Sequence, residues 1–398
     1  MTDGVRVLLL DMGGDLRGGQ RQVMYLVQTL ERLRNRGEHV EALVACPRES
    51  ALAQSLEDAG LPFLPLPGRG IVNPAVLLAL HGAIRRHAVN ILHTHDARAA
   101  SLGAWFKRWN SGLILVHSRR VSYPLKPGAR SQKYHAADAV VAVSRDIARI
   151  VVGGGLDAAK VHVIHSGIDP SRYEAKRDRR DGRFVFGSVG ALTSQKGFAV
   201  LIEAMSVLAA IEDLPPWEVR IIGEGPLFHE LLAKAQAIGV SERLALFGKQ
   251  DSRHFLPGFD ALLVPSVDGE GSNAVIKEGW AVGIPVSCSS LASNEELVRD
   301  KVNGLVASTG NPLALGAAML RLVKEPELRE RLVAGGRETL PSFTAEHMAV
   351  QTLSLYRSLL GCAEKQTSVS DSPDPVYPSE RTAEAFVLPD EPDDASRF

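Results

Sequence analysis

Residues Val5–Gly19 read VRVLLLDMGGDLRGG, and the order of events in that stretch sets the architecture. Val5, Val7 and Leu9 fall on one face of an extended chain and Leu8 and Leu10 on the other. A strand that is apolar on both faces is covered on both sides, as in a parallel sheet. Gly13, Gly14, Gly18 and Gly19 follow, and beyond them Val23, Leu26, Val27, Leu30 and Leu33 form one stripe at helical spacing. Arg34 and Arg36 close the last turn and Gly37 ends it. The unit is a strand, a tight glycine loop and a helix.

Working outward, the unit repeats. Strand-like runs recur at VEALVA, NILHTH, LILVHS, AVVAVS and VHVIHS, separated by helical stretches such as PAVLLALHGAIRRHA, which begins with proline. The segment SRYEAKRDRRDGR, Ser171 to Arg183, is dense in charge and lacks apolar periodicity, which marks a linker. The cycle then restarts with FVFGSVG, EVRIIG, RLALFGK, ALLVPS and PVSCSS, with helices expected near Gly197, Pro226, Ser252, Asn273 and Asn294. The expected organisation is a first Rossmann-like domain over residues 1–170, a linker over 171–183, a second such domain over 184–343, a helix over 344–361 and a tail over 362–398. The tail carries nine acidic and three basic residues, a composition expected to be disordered. Removing that net charge of -6 from the chain total of -1 leaves a body at +5.

Bulk properties agree with two globular domains. The 398 residues are 45% apolar, 23% charged and 6% aromatic, with 45 Lys and Arg against 46 Asp and Glu. A balance so near zero supplies no overall field for nucleic acid. Cys46, Cys288 and Cys362 lie far apart without CxxC spacing, so neither a disulfide framework nor a zinc site is expected and a reducing, cytoplasmic setting is. The opening residues carry no basic start or cleavage site, and no run is long enough to span a membrane.

In open α/β sheets ligands bind beyond the carboxyl ends of the strands, so chemistry is sought in the loops that follow them. The first glycine loop lets backbone amides approach an anion at a helix N-terminus, although its spacing is not GxGxxG. In GALTSQKG, Lys196 stands between a strand end and a helix, where an ammonium meets a phosphate or simply faces solvent. In PSVDGEGSNAVIKEGWAVGIPV, Pro265 to Val286, Glu270 precedes a helix whose free amides near Gly271–Asn273 suit a diphosphate. Glu278 lies about one and a half turns further in, where a carboxylate accepts from the vicinal hydroxyls of a ribose. On spacing alone this glutamate pair is also what chance provides in a chain with 46 acidic residues.

At this point the chain resembles the retaining GT-B glycosyltransferases of family 4, over nearly all of residues 4–360. The likeness rests on GGQRQVMYLVQTL, VAVSRDIARIVVGGG, VIHSGID, GALTSQKG, IIGEGP and EGSNAVIKEGWAVGIPV, the last resembling the E-x7-E motif followed by an AxGxPV turn. The resemblance implies an α/β fold of two tandem Rossmann-like domains facing each other across a cleft. It implies a metal-independent enzyme without a cofactor, which moves a hexose- or heptose-like unit from a nucleotide-sugar donor onto a cell-envelope polysaccharide or lipopolysaccharide acceptor. Glu278 would hold the donor ribose, Glu270 and His117 would approach the transferred sugar, and Lys196 would contact the diphosphate. Gly19, Gly271 and Ser272 would offer backbone amides, flanked by Gly18 and Asn273, with Glu224 and Lys249 completing the donor set. Many relatives carry arginine where this chain has Ala191, so one cation is absent there, and Arg17, Arg119 and Arg120 are the candidates to replace it.

Three further features remain open in the sequence. His93 and His95 share one face of a strand, but two ligands do not make a zinc site, and core or sugar-contact roles fit them better. The stretch Arg98–Lys133 holds eight Lys or Arg and no Asp or Glu, with Trp105, Phe106 and Trp109 among them. It suits an anionic membrane surface or a phosphorylated lipid-linked acceptor, and equally an ordinary basic helix with its aromatics turned inward. A non-catalytic sugar-nucleotide-binding protein is the rival reading, supported by Ala191, and an NAD-dependent oxidoreductase the third, opposed by the absent GxGxxG fingerprint.

Overall fold

The computed structural model describes residues 4–68, 73–125, 129–177 and 182–361. The expected tail from 362 onward, Cys362 included, and residues 178–181 of the expected linker lie outside the described residues. The first sheet contains β1 (Val5–Leu10), β2 (Val40–Pro47), β3 (Phe63–Leu66), β4 (Ile91–Thr94), β5 (Ile114–Arg119), β6 (Ala139–Ala142) and β7 (Val161–Val163), in the order β3-β2-β1-β4-β5-β6-β7. The second contains β8 (Phe184–Val189), β9 (Trp217–Ile222), β10 (Leu244–Leu246), β11 (Ala261–Val264), β12 (Val286–Ser289) and β13 (Leu305–Ala307), in the order β10-β9-β8-β11-β12-β13. Every pairing is parallel.

Strand alternation divides each core in two. Val5, Val7 and Leu9 pack under the helix Gly18–Asn35 with Val23, Leu26 and Leu30, whereas Leu8 and Leu10 pack with Leu102 and Phe106 on the opposite face. In the second sheet Phe186 and Val185 divide in the same way. Strand order reverses between β1 and β4 and again between β8 and β11, and at these switch points the loops part to leave a crevice.

Four elements differ from expectation. β3 contains Pro65, which hides a strand in the sequence, yet at a sheet edge the missing amide costs no ladder bond. β13 is only three residues long and also lies at an edge. The helix expected near Ser252 is a single 3₁₀ turn, Ser252–His254, followed by another at Leu256–Gly258, because Pro257 and Gly258 do not sustain a helix. The helix expected near Asn294 is four residues, Ala292–Glu295.

The two halves are joined in several places. The described part of the expected linker lies along the second half, with the Lys176 amide donating to Val282 O at 2.9 Å and that of Arg177 to Pro257 O at 2.8 Å. The last helix, Ala345–Leu359, leaves the second half and returns to the first, where Ala349, Leu353 and Tyr356 complete the core beneath the helix Gly18–Asn35. At its start the Ala345 amide donates to Ile168 O at 2.6 Å. Across the crevice, Glu296 accepts from the amides of Arg145 and Asp146, each at 2.7 Å, so a carboxylate of one half caps a helix of the other.

Candidate active site

The second half supplies its share from the loops after β8 and β11. Gly197, with φ of +66°, turns the chain out of the Ser194–Lys196 turn, and a Cβ there would lie 2.0 Å from Pro265 O. This close approach lays Lys196 against the loop after β11, where its Nζ donates to Glu270 Oε1 at 2.6 Å. Ser266 Oγ donates to the same oxygen at 2.5 Å, so the buried carboxylate is held from two sides. Asn273 caps the helix Ala274–Val282 by accepting from the Val275 amide at 3.1 Å. Inside that helix Glu278 is buried and accepts from the Tyr173 hydroxyl at 3.0 Å through Oε1, while Oε2 has no partner. Burial pushes the Glu278 carboxyl above its usual range, with the tyrosine hydrogen bond opposing.

Lys277, unremarked in the sequence, is fully buried. Its Nζ donates to Ser166 O at 2.6 Å and to Ser272 Oγ at 2.7 Å, which ties the helix N-terminus to the crossover between the halves. Burial pushes this ammonium down to about 7. With its oxygen already accepting from Lys277, the Ser272 hydroxyl keeps its own proton for another acceptor.

The first half meets these loops with residues after β1, β4 and β5. Asp11 accepts from the Gly13 amide at 2.8 Å and from the Gln20 amide group at 3.1 Å, which closes the glycine loop over the helix N-terminus. Burial, then the nearby Asp96 carboxylate, pushes Asp11 up to about 6. His95 ends the run after β4 and is buried, with its ring 4.2 Å from that of His93 and its Nε2 without a partner. Arg120 follows β5, and its Cδ lies 3.7 Å from where a Gly19 Cβ would stand. The same residue's carbonyl oxygen lies 2.6 Å from the Cβ position of Gly271, so the halves meet at a glycine where no side chain fits. A cavity of about 540 Å³ is lined by Arg21, Tyr25, Arg172, Arg253 and Tyr173, the last bonded to Glu278, among others. Of the seven buried side-chain polar atoms that lack a partner among the described residues, four belong to His95, Arg120, Asn273 and Glu278. Such atoms are rare in folded proteins, and their concentration on these loops marks a place where a polar ligand completes the hydrogen bonding.

The structure thus brings Gly18, Gly19, Lys196, Glu270, Gly271, Ser272, Asn273 and Glu278 to the loops at the carboxyl ends of the two sheets. It does not bring His117 there. That ring is fully buried, with Nδ1 bonded to Thr94 Oγ1 and Nε2 to Lys133 O at 2.9 Å, and it packs edge-on to Tyr134. The strand continues to Arg119, so His117 faces the core beneath the helix Ala97–Trp109, and burial pushes it down to about 4. His95, by contrast, directly follows β4 and lies at the carboxyl end of the sheet, and its place just past a strand is the signal the sequence carries. His93 is core, bonded to Tyr356 Oη at 2.6 Å and Ser118 Oγ at 2.8 Å. Glu224 and Lys249 pair with each other at 3.2 Å in solvent beyond β9 and β10.

The basic stretch 98–133 is divided by the fold. Lys107 is bound to Asp138 at 2.7 Å, and Arg119 is buried with Nη1 donating to Tyr134 Oη at 3.2 Å. Phe106 turns into the core, whereas Trp105 and Trp109 are 44% and 73% exposed. Lys126 and the side chain of Arg130 lie outside the described residues. Among the described residues no helix is long and apolar enough to cross a membrane, and no group of three His, Cys, Asp or Glu has the arrangement of a metal site.

The pattern of the family described as Glycosyltransferase Family 4 matches residues 17–172, and that of Glycosyl transferases group 1 matches residues 171–339. The chain is 26% identical over 373 residues to the phosphatidyl-myo-inositol mannosyltransferase of Mycobacterium leprae, covering 88% of this chain and 96% of that one. It is 33% identical over 158 residues to the lipopolysaccharide core biosynthesis glycosyltransferase LpsD of Rhizobium meliloti, covering 39% of this chain and 44% of the other. In fold it is similar to Anabaena Alr3699/HepE solved in complex with UDP, with a TM-score of 0.76 at 19% identity, covering 89% of this chain and all of that one. Two tandem parallel sheets facing a common crevice and family patterns that together span both halves lead to one assignment: the chain is an enzyme of sugar transfer and belongs to family 4 of the retaining GT-B glycosyltransferases.

Proposed function

We propose that this enzyme transfers a hexose- or heptose-like unit from a nucleoside diphosphate sugar, with retention of anomeric configuration, to a cell-envelope glycan or lipid-linked acceptor. The observation that carries the reading is the Lys196–Glu270 pair, set at the N-terminus of the helix Ala274–Val282 with Glu278 on the same helix. A diphosphate at that terminus accepts from the free amides of Gly271–Asn273, Lys196 meets its growing charge, and Glu278 accepts from the ribose hydroxyls through its unpartnered oxygen. Glu270, with Oε2 beyond the Lys196 and Ser266 contacts, faces the sugar hydroxyls. His95 replaces His117 as the histidine that approaches the sugar from the first half. The bond between the anomeric carbon and the phosphate oxygen breaks, a bond to the acceptor oxygen forms on the same face, and the acceptor proton passes to the departing phosphate. Closure of the two halves keeps water from competing.

An envelope acceptor is supported by the relatives named for lipopolysaccharide core and phosphatidyl-myo-inositol glycans. Trp105 and Trp109, exposed on a helix whose last turn also exposes Arg108, support approach to an anionic bilayer on its cytoplasmic face. The deciding experiment offers UDP-, GDP- and ADP-sugars with a set of lipid-linked and soluble glycan acceptors and determines the product anomer by NMR. Turnover of one nucleotide class with the donor anomer retained is expected. An inverted product, or no turnover and no nucleotide binding across the panel, overturns the reading.

A further inference from the structure

The Lys196 charge is already matched by Glu270 at 2.6 Å, so that pair brings little net positive charge to a diphosphate that carries two or more negative charges. Three arginines of the first half could supply it. Arg17 is 82% exposed in its side chain and paired with Asp15 at 3.1 Å. Arg119 is turned into the core against Tyr134 and the Tyr123 carbonyl. Arg120 stands between the two glycine loops, beside Gly19 through its Cδ and beside Gly271 through its carbonyl. Among the described residues its guanidinium makes only long contacts, to Ser166 Oγ at 3.3 Å and His95 Nδ1 at 3.4 Å, and its Nε has no partner. Asp11 is its nearest opposing charge, yet the two form no ion pair within 4 Å among the described residues. A part-buried guanidinium whose buried Nε is unsatisfied is costly unless an anion sits beside it.

We infer that Arg120 binds the donor diphosphate from the first half, as the cation that balances phosphate charge left over by the Lys196–Glu270 pair. This rests on the donor site proposed above. Burial lowers the guanidinium only to about 10, so it is charged at neutral pH. Because Lys196 and the helix Ala274–Val282 belong to one half and Arg120 to the other, the diphosphate becomes the bridge between them, and its departure releases the halves.

The test is calorimetry of Arg120→Met and Arg120→Lys with whichever of UDP, GDP or ADP binds the wild type, and with the matching monophosphate. Loss of one charge-assisted contact weakens diphosphate binding roughly ten- to a hundred-fold. Monophosphate binding should change much less, because the ribose and base contacts remain, and this arm also reports that the variant is folded. Arg120→Lys, which keeps the charge and loses the fork, should fall between. Equal diphosphate affinity in wild type and Arg120→Met overturns the inference, as does an equal loss for both nucleotides, which would mark Arg120 as a support for the fold. If the wild type itself binds no nucleoside diphosphate, the donor-site reading fails first and Arg120 with it.

Discussion

Replacing Lys196 by methionine keeps the aliphatic stem and removes the ammonium, and the structure separates what this does to stability from what it does to chemistry. Glu270 loses its 2.6 Å partner and retains the Ser266 hydroxyl at 2.5 Å. Breaking a fully buried pair costs about 3–5 kcal/mol. The Lys196 side chain is 29% exposed, however, so water reaches the pair and the cost falls toward that of surface pairs, to about 1–2 kcal/mol. At roughly 2–4 °C per kcal/mol for domains of this size, the variant stays folded with Tm lowered by a few degrees. Turnover should suffer far more. Negative charge on the phosphate rises as the glycosidic bond breaks, so a cation there binds the transition state more tightly than the donor. Loss of one such preorganised contact lowers kcat by about a hundred- to a thousand-fold, with a smaller change in donor affinity. The assay is steady-state kinetics with varied donor beside direct binding. Adding Glu270→Gln to Lys196→Met should recover Tm, because the uncompensated carboxylate is gone, and should not recover kcat. A kcat within a few-fold of wild type in Lys196→Met refutes the assignment and leaves Lys196 as a partner for Glu270 alone.

Glu278→Gln should weaken nucleoside diphosphate binding by roughly ten-fold or more, since hydrogen bonds to a charged group are worth about 1.5–3 kcal/mol. The wild type, but not the variant, should discriminate against the 2′-deoxy nucleotide; unchanged affinity in calorimetry moves the ribose elsewhere. Asp11 holds its proton to about pH 6 in the fold against about 3.8 when unfolded, so between those values the native state binds more protons and unfolding becomes easier as pH rises. Relative to Asp11→Asn, the wild type should therefore lose up to about 3 kcal/mol of stability from pH 4 to pH 6.5, and parallel profiles would contradict this. Trp105→Ala with Trp109→Ala should reduce partitioning onto anionic vesicles by about ten-fold or more and leave turnover of a soluble acceptor intact. Losses of equal size in both assays would assign these tryptophans to the fold.

The architecture was legible because buried parallel strands announce themselves as doubly apolar runs, and the glycine loops after β1, β8 and β11 follow them directly. What hid was whatever depends on strand order. β1 pairs with β4 across some eighty residues of intervening chain, so the meeting of Asp11, His95 and Arg120 is written in no local spacing. The Tyr173–Glu278 hydrogen bond joins positions separated by 105 residues for the same reason. His117 was expected near the sugar on resemblance alone, whereas β5 continues two residues beyond it and alternation turns the ring into the core. Lys277 carried no signal at all, since a lysine inside a helix is ordinarily at the surface and only the crossover at Ser166 gives it carbonyl and hydroxyl partners.

The return of the last helix to the first sheet has a consequence for biogenesis. Ala349, Leu353 and Tyr356 complete a core formed by Val5, Val7 and Leu9 with the helix Gly18–Asn35, so the opening segment of the chain waits for the rest of its covering until residues near 356 have left the ribosome. About 180 residues separate Ile168 from that helix, which at roughly 5–20 residues per second is on the order of ten to forty seconds of synthesis. Throughout that interval a nascent chain with seven strands already translated has this apolar face covered by the helix Gly18–Asn35 alone, with the space for Ala349, Leu353 and Tyr356 unfilled. Chaperone demand should accordingly fall on the emerging amino-terminal half rather than on the finished enzyme.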